Sequence, residues 1–145
     1  MISRTMVSIL VLAMFCGASI GTADAADTHP IAVEKATKAA DAWLKLVDEG
    51  KYRESWEQAP TAFRNHVSPD KWEAKVRGTR EPLGAVISRT FKSGEFRTDL
   101  PGAPPGEYVV VEYDTSFANK KDAVETVTPM RNSEGAWHVA GYFIK

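Results

Sequence analysis

The spacing of apolar residues changes once along this chain, from a helical period in the first half to an alternating period in the second. Up to about residue 81, apolar side chains recur at steps of three and four residues, the spacing of one helix face. From about residue 85 they alternate with polar side chains, as in strands with one buried face. Helices followed by consecutive strands predict an α+β fold, with about four strands forming an antiparallel meander.

The first helix is predicted over residues 31–49. Its charged residues, Asp41 and Asp48 among them, are expected on the side opposite the apolar stripe. Gly50 follows, and a glycine at this position commonly ends a helix. The stripe comprises Ala32, Ala36, Ala39, Trp43 and Val47, widened by Ala40 and Leu44.

Two more helices are predicted before the change of period. One covers residues 51–59 and stops at Pro60, after which a short segment with Phe63 could add a further turn. The other begins after Ser68, a capping hydroxyl followed by proline, and ends near Glu81 because Pro82 disfavours helical geometry before it. Its inward side chains are predicted to be Trp72, Val76 and Thr79.

Four strands are predicted in the second half. A loop over 100–106 interrupts them, since its three prolines and two glycines cannot sustain a ladder. A turn over 132–135 precedes the last strand. The strands are expected over 85–91 with a continuation to Arg97, and over 108–117, 124–130 and 136–144.

The N-terminus is typical of an export signal. Arg4 precedes an apolar stretch from about 6 to 15, and small residues follow, ending in Ala23-Asp24-Ala25. The stretch is shorter than the roughly 20 apolar residues that span a bilayer. We expect a signal peptide over 1–25, with cleavage after Ala25 or alternatively Ala26, and a single periplasmic or secreted domain over 26–145. Cys16 would be removed with the signal, leaving no cysteine for disulfide or thiol chemistry.

Charge limits the classes of partner. The formal net charge is −1, and basic residues form no patch along the chain. Nucleic-acid binding and adsorption to an anionic membrane both depend on such a patch, so neither is expected.

Several short blocks of sequence, taken in order, resemble domain-of-unknown-function family 4019. The resemblance covers nearly all of the chain after the signal, and it implies an exported bacterial domain without an established activity. The order of helices and strands is also similar to the cone-shaped fold of the nuclear transport factor two-like superfamily, in which a curved sheet wraps around helices. The blocks are Pro82–Gly84, Ser88-Arg89, Leu100–Ala103, Gly106–Val109, Thr115–Lys120, Ala123–Val127 and Trp137–Tyr142.

Glu125 is the first candidate for chemistry, because it interrupts an otherwise apolar strand. In a pocket it could be a general base, with Tyr113 or Tyr142 as its partner. The interpretation favoured by strand alternation alone is a carboxylate that faces water.

Arg89 lies in the first strand and could hold an anionic ligand through paired hydrogen bonds. The favoured interpretation is a surface arginine that pairs with Glu112 or Asp114 of the neighbouring strand. If these side chains face inward, the predicted binding pocket comprises Arg89, Tyr113, Glu125 and Tyr142.

Other chemistry finds no support in the sequence. His66 and His138 stand apart from other metal-ligand side chains, and no glycine-rich phosphate loop occurs, so no metal and no cofactor is expected. The four tryptophans, Trp43, Trp56, Trp72 and Trp137, are expected in the core.

Three functions remain open. The leading hypothesis is a non-enzymatic domain that binds a small molecule or a protein through the concave sheet face or the loop around 102–106. The first alternative is a cofactor-free isomerase, dehydratase or hydrolase that uses Glu125. The second is a structural homodimer in which a second copy covers the sheet.

Overall fold

The structure is a computed structural model that describes residues 29–145. The expected signal peptide, its cleavage sites and Cys16 lie outside these residues. The helices within 29–145 include none that is long and apolar enough to cross a membrane.

Within residues 29–145, four α-helices precede four strands, which confirms the predicted α+β class and the meander. The additional turn expected around Phe63 is a helix of its own. The helices are α1 (Pro30–Asp48), α2 (Tyr52–Glu57), α3 (Thr61–His66) and α4 (Pro69–Arg80), the last continued by a 3₁₀ turn over Glu81–Leu83. The strands are β1 (Val86–Arg97), β2 (Tyr108–Phe117), β3 (Lys120–Arg131) and β4 (Trp137–Ile144).

The strands form one open, curved antiparallel sheet in the order β1-β2-β3-β4. Each strand pairs with its neighbour in sequence, as short connections favour. Strand β2 has the predicted bounds, and β1 runs to Arg97 without a break, whereas β3 begins four residues earlier than predicted. Alternation is strongest in β2, where Val109, Val111 and Tyr113 are buried.

Helix α1 crosses the inner face of the sheet and contacts all four strands. Its stripe fills the space between the layers, with Ala36, Ala40 and Val47 almost completely buried. The glycine at its end behaves as predicted: Gly50 has a φ of 76°, and the amide of Lys51 donates to the carbonyl of Leu46 at 2.9 Å.

Two tryptophans meet at one buried serine. Ser55 has no exposed surface; its carbonyl accepts from Trp43 Nε1 at 3.0 Å, and its hydroxyl accepts from Trp72 Nε1 at 2.9 Å. Indole N–H groups need such partners once they are buried. The core prediction is therefore confirmed for Trp43 and Trp72, while Trp56 and Trp137 pack against the core and remain partly buried.

Helix α4 begins as predicted, with Ser68 Oγ accepting from the amide of Lys71 at 3.4 Å. Its inward face differs from the prediction at one position. Thr79 is exposed and bonds back to the carbonyl of Lys75, whereas Arg80 is buried. Arg80 continues the four-residue spacing of Trp72 and Val76, so geometry rather than hydrophobicity places it inward.

Pro129 lies inside the central strand β3, a position where proline removes a ladder donor. It coincides with a register shift, since Thr128 pairs with Gly141 and Pro129 pairs with Val139. Ala140 is therefore the extra residue of a β-bulge in β4. Bulges are among the few places where a sheet tolerates proline.

Gly94 controls how closely α1 approaches β1. A Cβ added there would lie 2.6 Å from Val33 Cγ1. We predict that Gly94→Ala lowers the free energy of unfolding by about 1–3 kcal/mol, because the helix must move away from the sheet. Urea unfolding measures the change, and adding Val33→Ala should recover at least half of it.

The matched control for this prediction is Gly78→Ala in α4. No atom lies within 4 Å of a Cβ built at Gly78. Alanine there should stabilise the helix by about 0.5–1 kcal/mol. If Gly94→Ala and Gly78→Ala change the free energy of unfolding equally, the close approach of α1 to β1 does not depend on Gly94.

Candidate functional site

Glu125 is completely buried on the inner face of the sheet, so the water-facing interpretation is wrong. Its pairing with Tyr113 of β2 places it on the same face as Ala123 and Val127. A one-residue change of register would have placed it outside. The carboxylate therefore needs partners within the protein.

Three side chains supply those partners. Arg89 Nε and Thr115 Oγ1 each donate to Glu125 Oε1 at 2.7 Å. Tyr142 OH donates to Glu125 Oε2 at 2.5 Å. Both carboxylate oxygens thus accept hydrogen bonds from charged or hydroxyl groups. Strands β1, β2 and β4 each contribute one donor to this residue of β3.

Arg89 extends this cluster to α1. Its Nη1 and Nη2 donate to Asp48 Oδ2 and Oδ1 at 2.7 and 3.0 Å, a bidentate pair. The predicted partners Glu112 and Asp114 are therefore wrong. Asp114 instead pairs with Lys92 at 3.3 Å on the exposed side of the sheet.

Arg80 closes the cluster from α4. Its Nη2 donates to Asp48 Oδ1 at 2.8 Å, and its Nη1 lies 3.4 Å from the hydroxyl of Tyr142. The guanidinium carbon also lies 5.0 Å from the centre of the Phe117 ring, within cation–π range. Two cations and two carboxylates thus balance in one cluster, which we call the Glu125 network: Asp48, Arg80, Arg89, Thr115, Glu125 and Tyr142.

Tyr113 is adjacent to this network but bonds elsewhere. It pairs with Glu125 in the strand register, yet its hydroxyl donates to Asp41 Oδ1 at 2.6 Å. Of the four residues in the predicted pocket, the structure brings together Arg89, Glu125 and Tyr142. Asp41 and Asp48 of α1 are exposed residues, as predicted, and both nevertheless bond to side chains of the sheet.

The environment shifts the pKa values of Asp48, Arg89 and Tyr142. Burial opposes ionisation of Asp48, but hydrogen bonds from Arg89 and Arg80 outweigh it and hold the pKa below its ordinary value. Burial likewise opposes the charge on Arg89, but its bonds to Asp48 and Glu125 raise the pKa. Burial, together with the adjacent charge of Glu125, raises the pKa of Tyr142. Tyr142 is therefore a permanent donor at neutral pH.

Sequence reasoning missed Asp48, Arg80 and Thr115. The sequence spacing indicates an inward position for two of them, because Asp48 follows Leu44 by four residues and Arg80 follows Val76 by four. Both therefore border an apolar stripe. Thr115 lies on the inner face of β2 and bonds to Glu125, a contact that depends on the register between strands.

The largest of the described cavities lies away from this network. It is a groove of about 670 Å³ between α3, the loop over 100–106 and the β3–β4 end of the sheet. Its lining is mostly apolar and includes Phe63, Leu100, Pro104 and Met130, with few polar side chains. We call it the apolar groove.

Tyr108 fixes the loop that forms one wall of the apolar groove. Its ring is buried beneath the loop, and its hydroxyl donates to the carbonyl of Pro104 at 2.5 Å. Gly106 allows the close approach, since a Cβ there would lie 2.9 Å from Met130 Cε. The wall is thus attached to the sheet although it contains no regular secondary structure.

A second groove of about 470 Å³ adjoins the first and shares Pro60, Ala62 and Met130 with it. Apart from Ala59, its other lining residues are charged or polar, and we call it the polar groove. His138, one of the two isolated histidines, lines it, and His138 Nδ1 lies 3.0 Å from the carbonyl of Gln58. Among residues 29–145, no group of three or more His, Cys, Asp or Glu side chains is placed to hold a metal ion.

Comparison with models of known protein families identifies the family of this chain. The model of a family described as "Protein of unknown function (DUF4019)" matches residues 39–142, from α1 to β4, and so includes the whole Glu125 network. A search of curated proteins found no match.

Removing the charge of Glu125 tests the energetic importance of the network. We predict that Glu125→Gln lowers the free energy of unfolding by about 3 kcal/mol, because Glu125 is fully buried and its loss of charge leaves the partly buried guanidinium of Arg89 without one of its two carboxylates. The control is Asp114→Asn, an exposed strand carboxylate with one lysine partner, which should cost less than about 1 kcal/mol. Chemical denaturation at pH 7 measures both, and a cost for Glu125→Gln no larger than that of the control would refute the prediction.

Proposed function

We propose that this chain, which belongs to the DUF4019 family, is an exported binding domain that takes an apolar ligand into the apolar groove. The observation that carries the proposal is the groove itself, which is open to solvent and has a volume of about 670 Å³, within the range of small-molecule sites. Because its lining is mostly apolar, the binding free energy of a ligand would come more from the burial of apolar surface than from polar contacts.

The Glu125 network supports the binding interpretation over the enzymatic one. A general base must reach the proton that it removes. Glu125 has no exposed surface, and both its oxygens are occupied by donors within the protein. Acid/base catalysis would first have to break these bonds, so we do not assign catalysis to this residue.

The same network also argues against binding through the concave sheet face. Helix α1 covers that face, and ion pairs join the two layers. The loop around 102–106 is the other surface that the leading hypothesis named, and it forms a wall of the apolar groove. We therefore propose that the ligand binds beside the loop. In this proposal the fold is nuclear transport factor two-like and serves as the scaffold that supports the loop.

Export is part of the proposal. The N-terminal pattern supports a periplasmic or secreted location, with a domain that starts at Ala26. N-terminal sequencing of the protein recovered from the periplasm or medium tests it. A chain that keeps Met1 would contradict it.

The groove is tested with a neutral fluorescent probe, N-phenyl-1-naphthylamine. Ala62 is exposed on α3 and lines both grooves, so Ala62→Trp should fill the space without disturbing the core. We predict at least a tenfold loss of probe affinity for this variant, measured by fluorescence titration. The matched control is Ala74→Trp, at an exposed alanine of α4 outside the grooves, which should stay within twofold of the parent.

The outcome that contradicts the proposal is equally direct. If the parent protein fails to bind the probe, or if both tryptophan variants bind it as well as the parent does, the apolar groove is not the binding site. Thermal unfolding of both variants, expected within a few degrees of the parent, shows that the fold is intact.

A further inference from the structure

The apolar and polar grooves are parts of one trough. They share Pro60, Ala62 and Met130, so that a ligand can pass from one to the other beside α3. One half is lined mostly by apolar side chains, and the other is lined largely by charged and amide groups. A ligand that fills the trough must therefore change character along its length.

The charges of the polar groove balance. Arg64 and Arg131 contribute two positive charges, and Glu57 and Glu134 contribute two negative ones. Arg131 is further neutralised by Glu107, at 2.8 Å. An anionic headgroup attached to an apolar tail would meet as many acids as bases and would gain little from this lining.

Strand β4 borders the trough at Ala140 and Gly141, which are both partly exposed. Strand β4 is an edge of the sheet, and an edge strand presents N–H and C=O groups that lack strand partners. Ala140 is the extra residue of the bulge, and Ala140 and Gly141 both line the apolar groove with very small side chains. A ligand with its own amide groups can therefore reach this backbone.

We propose that the occupant of the trough is an extended peptide segment, with apolar residues in the apolar groove followed by residues of both charges in the polar groove. The inference rests on the binding function proposed above and specifies its ligand. Alternating backbone donors and acceptors match the edge of β4, and side chains of opposite sign match the four charges of the polar groove. Helix α3 has six residues and is about 9 Å long, so about three extended residues lie beside it and a hexapeptide extends past both ends.

The probe for this proposal is a hexapeptide with blocked ends, acetyl-leucine-valine-phenylalanine-lysine-glutamate-serine amide. Its control has the same composition with apolar and polar residues alternating. We expect the first peptide to bind at least tenfold more tightly in isothermal titration calorimetry. N-methylation within its apolar half should weaken binding at least fivefold, and Ala62→Trp should abolish it while Ala74→Trp leaves it unchanged.

The alternatives give different results. If the naphthylamine probe binds but the two hexapeptides bind equally or not at all, the peptide proposal fails and the apolar groove remains a small-molecule site. If palmitate binds more tightly than the better hexapeptide, the ligand is an amphiphile and the peptide proposal is again overturned. If neither the naphthylamine probe nor any peptide binds, both proposals fail.

Discussion

The bridge that Arg89 makes between Asp48 and Glu125 is the interaction on which the arrangement of the two layers depends. It links the C-terminal end of α1 to the middle of the sheet through charge-assisted bonds of 2.7 to 3.0 Å. Arg89 lies between the helix carboxylate and the fully buried Glu125, so a helix that slides or rotates on the sheet takes Asp48 away and leaves the guanidinium with one of its two carboxylates. Apolar packing brings α1 to the sheet, and these bonds determine where it stops.

The bridge belongs to a part of the protein that supports the fold, and the proposed binding surface lies elsewhere. The Glu125 network engages Arg89, Glu125 and Tyr142 in bonds within the protein, and Arg80 and Asp48 complete it. The trough lies toward the other end of the strands, between α3 and the loop over 100–106. A binding domain requires a rigid scaffold, here the Glu125 network, and an open apolar surface, here the apolar groove. A groove that is already formed loses less conformational entropy when a ligand binds.

The sequence predicted most of the fold because its local signals agree. The change of period, the glycine at position 50, the cap at Ser68 and the alternation from Tyr108 to Phe117 each depend on neighbouring residues alone. The candidate site was less predictable. Whether Glu125 faces in or out, and whether Arg89 pairs with Asp48 or Asp114, depends on strand register and helix placement, which short-range patterns do not encode.

The most direct test of this account is the affinity of Glu125→Gln for N-phenyl-1-naphthylamine, measured where near-ultraviolet circular dichroism shows the variant to be folded. If the Glu125 network supports the fold and the groove binds the ligand, the dissociation constant should stay within twofold of that of the parent. The double variant Arg89→Met with Glu125→Leu, which removes the charges as a pair, should behave likewise if the single variant is too unstable. A folded variant whose affinity falls tenfold or more would place the binding site at Glu125 and contradict the account.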